Sequence, residues 1–212
     1  ESDRMRYLVE NGRLIIQFSA PNSGWSLFNF GNTLSKQLTL TLPAGLQLDT
    51  FSVDTVSAEV DAQSISSYDI DFSTVSGDVF LDASSCKDLT ADAVSGRITL
   101  ENTRADSLNC ETVSGDIFVE GEFLDLSFDS VSASFELNTS VRPDRITTDT
   151  VSGRVKLALP ENDGFIAELD SVSGDLDCTF EGTVQKKRVV YGDGGASYRF
   201  DSISGDGYIY QR

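Results

Sequence analysis

Thr74-Val75-Ser76-Gly77-Asp78-Val79 recurs, with small changes, eight times in this chain. Counted from the repeated valine or isoleucine, the copies begin at Val56, Val75, Val94, Val113, Val131, Val151, Val172 and Ile203. Serine follows in every copy, and glycine or alanine follows the serine. The first four starts lie 19 residues apart, and the later gaps are 18, 20, 21 and 31. A fixed short period of this kind marks a solenoid, in which each unit buries its apolar face only against its neighbours.

Columns of the repeat say how each unit is built. Five residues before the valine stand Phe51, Ile70, Leu89, Leu108, Leu126, Ile146, Ala167 and Tyr198. Three before it stand Val53, Phe72, Ala91, Cys110, Phe128, Thr148, Leu169 and Phe200. Four after it come Val60, Val79, Ile98, Ile117, Phe135, Val155, Leu176 and Gly207, and six after it Ala62, Leu81, Leu100, Val119, Leu137, Leu157, Cys178 and Ile209. Apolar residues at every second place, with polar ones between, describe two short half-buried strands joined by a bend at Ser-Gly. The fold class expected is therefore all-β: a single-chain β-solenoid of about eight stacked coils. Right-handed winding is favoured by the chirality of parallel crossovers. Stacking predicts that Val75, Val94 and Val113 lie in line and face inward. Glycine at the bend is expected both because stacked bends leave no room and because glycine reaches φ values other residues avoid.

Outside the repeat, the ends read differently. Tyr7-Leu8-Val9, Asn11-Gly12 and Leu14 to Phe18 predict a hairpin on a type I′ turn. Trp25, Phe28 and Phe30 suit an aromatic plug over an open core end, and Gln37 to Pro43 alternates like a strand. Residues 1–45 are thus expected to form an N-terminal β capping segment, and residues 46–212 one continuous solenoid. In the long gap before Ile203, Val184 to Tyr191 and Ala196 to Phe200 predict a C-terminal hairpin around Gly192-Asp193-Gly194-Gly195. Lys186, Lys187 and Arg188 form the only basic cluster. They suit either protection of a terminal sheet edge or a partner contact.

Charge excludes several functions. With 34 acidic residues, 16 basic ones and no histidine, the formal net charge is −18. Nucleic acid is excluded as a partner, because phosphates need clustered Lys and Arg. Anionic lipid surfaces are disfavoured for the same reason. No apolar run approaches the roughly 20 residues of a membrane helix, so these residues do not insert into a bilayer directly. Glu1 is not an initiator methionine, and any signal or anchor is expected upstream of it. Cys86, Cys110 and Cys178 are too few for a disulfide framework and read as free thiols, Cys110 and Cys178 pointing inward. Without histidine, neither nucleophilic catalysis nor zinc has the residues it needs. No cofactor is expected.

Stacking also creates ladders of like residues. Two before the valine stand Asp54, Ser73, Asp92, Glu111, Asp129, Asp149, Asp170 and Asp201. These carboxylates are expected to accept backbone N–H bonds at the bend and to hold no metal, because the glycine-rich calcium-roll nonapeptide is absent. Three after the valine, Arg97 falls between Asp78 and Asp116, and Arg154 beside Asp175, which predicts cross-strand charge pairs. Five after it, Phe80, Phe118 and Tyr208 interrupt a polar outer column. Phe80 and Phe118 suit an interaction patch or lie under the N-terminal segment. The candidate interaction surface thus comprises Phe80, Phe118, Tyr208, Lys186, Lys187 and Arg188.

Leu40 to Leu48, the Thr-Val-Ser-Gly-Asp copies at Thr74 and Thr112, Ser171 to Leu176, and Tyr191-Gly192-Asp193-Gly194 ahead of the last copy together resemble a known family. It is the bacterial adhesin-like β-strand-repeat family, also called the toast-rack domain. The resemblance runs from about Leu38 to Arg212. It implies a solenoid found in bacterial envelope proteins, some of them in envelope-stress signalling. It supplies no catalytic residue. The function expected is a non-enzymatic scaffold or interaction module of the cell envelope, extracytoplasmic or membrane-anchored. Its partner would be a protein, a wall or envelope component, or a second copy of the chain. The alternative is a glycan-processing enzyme using paired carboxylates.

Overall fold

The structure is a computed structural model and describes residues 5–18 and 37–212. The chain forms two compact units that divide between Leu42 and Pro43. No helix is present among the described residues.

In the first unit, β1 (Met5–Glu10) and β2 (Arg13–Phe18) pair antiparallel, with Tyr7 opposite Ile16 and Glu10 opposite Arg13. Asn11 and Gly12 both carry positive φ (51° and 75°), as the expected two-residue turn requires. The expected plug of Trp25, Phe28 and Phe30 lies outside the described residues. Gln37 to Pro43 is not a strand, contrary to its alternating pattern. Alternation supplies a face, but a strand also needs a neighbour's backbone, and Leu38 and Leu40 stay exposed.

The second unit is the solenoid. Its strands are β3 (Gln47–Thr55), β4 (Val60–Gln63), β5 (Ser66–Thr74), β6 (Val79–Asp82), β7 (Asp88–Ala93), β8 (Ile98–Thr112), β9 (Ile117–Ser130) and β10 (Phe135–Thr139). They continue as β11 (Arg145–Thr150), β12 (Arg154–Leu159), β13 (Gly164–Ser171), β14 (Leu176–Cys178), β15 (Thr183–Gln185), β16 (Arg188–Gly192), β17 (Ala196–Ser202) and β18 (Asp206–Gln211). Strands before the Ser-Gly bend stack in parallel as β3, β5, β7, the end of β8, the end of β9, β11, β17 and β13. Strands after it stack as β4, β6, the start of β8, the start of β9, β10, β12, β18 and β14. Each sheet therefore carries eight rungs. About six turns of chain join the first seven copies, and the eighth copy is threaded in as the seventh rung.

All four apolar columns point inward. Ile70, Leu81, Ile98, Leu100, Val119, Leu137, Ile146 and Leu157 are wholly buried, and only the first rung's Phe51, Val53 and Val60 and the last rung's Cys178 remain half-buried. The repeat valines do not join them. They stack in register, since Ser76 N–H donates to Val56 O and Ser95 N–H to Val75 O (both 2.9 Å). Yet Val75, Val94 and Val113 are 45–46 % exposed. The residue inside the bend is the preceding threonine. Thr74 Oγ1 accepts the Gly77 N–H at 3.0 Å and Thr112 Oγ1 the Gly115 N–H at 3.1 Å. A corner has one inward place, and a hydroxyl that satisfies the bend's own backbone takes it.

Glycine at the bend answers to sterics alone. A Cβ on Gly77, Gly96 or Gly115 would fall 1.8–2.0 Å from the carbonyl oxygen of the rung below. None of these glycines has positive φ, so the expected conformational reason does not apply. The aspartate that follows ties one rung to the next. Asp78 Oδ1 accepts the Arg97 N–H (2.8 Å) and Asp116 Oδ1 the Ser134 N–H (2.9 Å). A second corner lies at Ser64, Ala83 and Asn102, eight residues after the valine, where φ is 48–56° in three successive rungs.

The C-terminal end departs from expectation. Val184 to Tyr191 does not pair with Ala196 to Phe200. Instead β15 and β16 form a tight antiparallel hairpin turned at Lys186 and Lys187, and β13 separates β16 from β17. An aromatic cluster fills this end. Phe165 meets Phe180, Tyr191 and Tyr198 at ring-centroid distances of 5.2, 5.4 and 5.0 Å.

Candidate interaction surface

Side chains that alternate with the buried columns form the outer face of each sheet. On the first sheet, the column two before the valine runs in space as Asp54, Ser73, Asp92, Glu111, Asp129, Asp149, Asp201 and Asp170. Of the backbone N–H bonds expected for these carboxylates, Asp92 takes one from Glu111, but tying each bend to the next falls to another column. That role belongs to Asp78, Asp116 and Asp206, five residues further along. Geometry explains the division, because only a residue beyond the bend reaches the next rung's free N–H.

The acidic column consequently stands with little to neutralise it. Among the described residues, no lysine or arginine forms an ion pair with Asp92, Glu111, Asp129 or Asp149. Like charges one rung apart repel. Burial, with Glu111 and Asp71 alongside, pushes the Asp92 carboxyl above its usual value, an effect partly offset by the Glu111 backbone. Burial, then Glu111 and Asp149, raises Asp129. Burial, then Asp69 and Asp54, raises Asp71. Asp92 Oδ1 is also buried without a hydrogen-bond partner. No cluster of three or more Cys, Asp or Glu suited to a metal ion occurs among the described residues.

At its far end the same face becomes mixed in charge. A groove of about 320 Å³ is lined by the acids Glu168, Asp170 and Asp201 and by the bases Lys186, Lys187, Arg188 and Arg199. Arg188 Nε lies 2.6 Å from Glu168 Oε1. Arg199 grips Asp201 with two bonds, of 2.7 and 3.0 Å. Lys187 Nζ donates to Ser171 O at 2.7 Å and so pins the hairpin to the last rung. Lys186 is exposed at the turn, with φ 54°.

Phe80, Phe118 and Tyr208 lie on the second sheet. Phe80 and Phe118 flank Thr99 two rungs apart, and both are half-buried. Tyr208 lies three rungs beyond Phe118, under the Arg154 guanidinium, which is 5.8 Å from its ring centre. The repeat spacing alone puts Arg154 beside Asp175. The inserted rung makes Asp206 its register partner instead. Arg97 meets Asp78 through its backbone N–H alone, as Ser134 meets Asp116, and the expected charge pair does not form among the described residues. The aromatic trio and the basic hairpin belong to different sheets and do not converge.

The nucleophiles are quiet. Burial, then Asp88, Asp69 and Asp106, pushes the Cys86 thiol up to about 12. Burial raises Cys110 and Cys178 as well. Thiols so shifted carry almost no thiolate near neutrality. Bend serines direct their hydroxyls at carbonyls below, as Ser76 Oγ does to Val56 O at 3.2 Å.

The outer face of the first sheet thus presents charged and hydrogen-bonding side chains in register along its rungs. A family model described as Toastrack DUF4097 matches residues 1–210. No curated protein and no solved structure matches the chain.

Proposed function

Because the chain belongs to the Toastrack DUF4097 family, we propose that it is a non-enzymatic repeat scaffold of the bacterial cell envelope, whose first-sheet outer face docks a cationic surface of an envelope protein. One observation carries this: a column of carboxylates, centred on Asp92, Glu111 and Asp129, with which no lysine or arginine forms an ion pair among the described residues, two of the three being held above their usual pKa. A partner's lysines and arginines would relieve that repulsion and gain from it at once. Adhesion, or a place in envelope-stress signalling, is the physiological setting such docking would serve. Phe80, Phe118 and Tyr208 would supply a second, apolar contact on the opposite sheet.

Glycan processing by paired carboxylates is the competing reading. It would draw on Asp170 and Asp201, in adjacent rungs of the groove. Arg199 already occupies Asp201 and Arg188 occupies Glu168, which leaves one unengaged acid where the chemistry needs two.

Crosslinking and capture from intact cells tests the proposal. Wild-type chain is expected to retain a partner that high salt releases and that the triple variant Asp92→Asn, Glu111→Gln, Asp129→Asn loses. A partner kept by that variant but lost on changing Phe80 and Phe118 to serine would move the site to the other sheet and sink the acidic reading.

A further inference from the structure

The seventh rung differs from every other in how it is reached. The other rungs follow one another in chain order. The seventh, β17 and β18, is threaded in out of that order and joins the chain before it through Gly192 to Gly195. It lies between β11–β12 and β13–β14, which are consecutive in the chain. We propose that this rung is an exchangeable site: residues 196–211 of one copy of the chain seat in the corresponding slot of a second copy.

What holds the rung in place is indifferent to chain identity. On one side Arg145 to Thr150 pair with Ser197 to Ser202, and on the other Phe165 to Ser171 pair with Ala196 to Ser202. On the second sheet, β12 and β14 both pair with β18. Parallel ladders recognise register and side-chain fit, which a coil from another copy satisfies equally. The particular contacts are of the same kind. Ser197 N–H donates to Asp144 O (2.9 Å), and the Tyr198 hydroxyl donates to Pro143 O (3.1 Å). Fit is specific to this position too, because Gly207 leaves the space that Leu176 of the next rung enters.

The connection is suited to redirecting the chain. Gly192 and Gly194 both have positive φ (57° and 69°), and Gly195 follows at once. Such a segment absorbs a large change of direction at low steric cost. Own-chain and second-copy seating then offer the same contacts, and the balance between them is set by effective concentration. The cores β11–β12 and β13–β14 could also stack directly while the slot is empty, because their inward columns share one register: Ile146 with Ala167, Thr148 with Leu169, Val155 with Leu176.

The test uses the full chain carrying Asp149→Cys and Asp201→Cys. These residues face each other in register across β11 and β17. The reduced variant is unfolded, refolded over a wide range of protein concentration, and then oxidised. A link between the two new thiols inside one chain is expected at low concentration. A covalent dimer joined by that same link between chains, identified by mass spectrometry of isotope-mixed samples, is expected to rise roughly in proportion to concentration. If the link stays within one chain at every concentration, exchange does not occur. If it forms nowhere, the coil does not lie beside β11, and the proposal fails at its premise.

Discussion

Asp149 and Asp170 stand on consecutive copies of the repeat, yet Asp201 lies between them, in register with both. The reason is visible in Gly207, the one glycine in an otherwise apolar column. A Cβ there would lie 2.9 Å from Leu176 Cδ1 and 3.7 Å from the Phe200 ring. Phe200 and Leu176 together fill what the missing side chain leaves. Gly207→Val would restore the column's pattern and overfill the rung, so it is expected to destabilise by about 1–3 kcal/mol. Urea denaturation checks this; unchanged stability would mean that Leu176 does not rest on β18.

Gly96→Ala probes the close approach at the bend. Its new methyl would meet Gly77 O at 2.0 Å, and the obstacle is backbone, which cannot rotate aside. The rungs must then separate locally and weaken the Ser95 N–H bond to Val75 O. A loss of about 2 kcal/mol or more in unfolding free energy is expected, at the upper part of the range for overpacked sites. Because φ at Gly96 is not positive, the cost would come from crowding alone.

Acid is expected to stabilise this protein before it harms it. Asp71, Asp92 and Asp129 bind a proton more readily when folded than in the unfolded chain. Between the ordinary carboxyl pKa and the raised folded one, the native state holds more protons, so unfolding free energy falls as pH rises. Their contribution is most favourable below the unfolded value and is lost as pH climbs through the folded one. The thermal midpoint should therefore rise as pH is lowered from neutrality through the raised carboxyl pKa values towards the ordinary carboxyl range. Asp92→Asn should raise the midpoint at pH 7 and shrink the remaining pH gain. A variant with the wild-type pH profile would show that Asp92 is not among the strained groups.

The inward columns were legible because two periods, two residues within a strand and nineteen along the chain, place Ile70, Leu89 and Leu108 unambiguously on one line. The valine beside the bend was not, since a corner breaks the two-residue alternation and lets Thr74 take the inside. Rung order was hidden for a related reason: every copy carries the same register, so Ile203 could stack on Val172 or slip beneath it. Only Gly207 hinted at the choice. The second corner left a trace in Asn102 alone, because Ser64 and Ala83 carry no habitual preference for positive φ. The acidic column was plain in the sequence. What its oxygens touch was not, because Asp54 and Asp78 look alike until the bend places one beside a free N–H.

Phe80 and Phe118 separate cover from surface most directly. Both lie on the second sheet's outer face with Thr99 between them, half-buried rather than enclosed. Residues packed under a cover lose their share of apolar burial when truncated, about 3–5 kcal/mol for a fully buried phenylalanine. Residues standing on an open face lose little, because their exposed area is already in water. Changing both to serine is expected to lower unfolding free energy by no more than about 1–2 kcal/mol in total, through lost cross-strand contact with Thr99 and its neighbours. Urea denaturation gives that number, and the same variant then reports on binding without the ambiguity of a damaged fold. A loss several times larger would mean that another part of the chain lies over these rings, and the second sheet would no longer offer a free apolar contact.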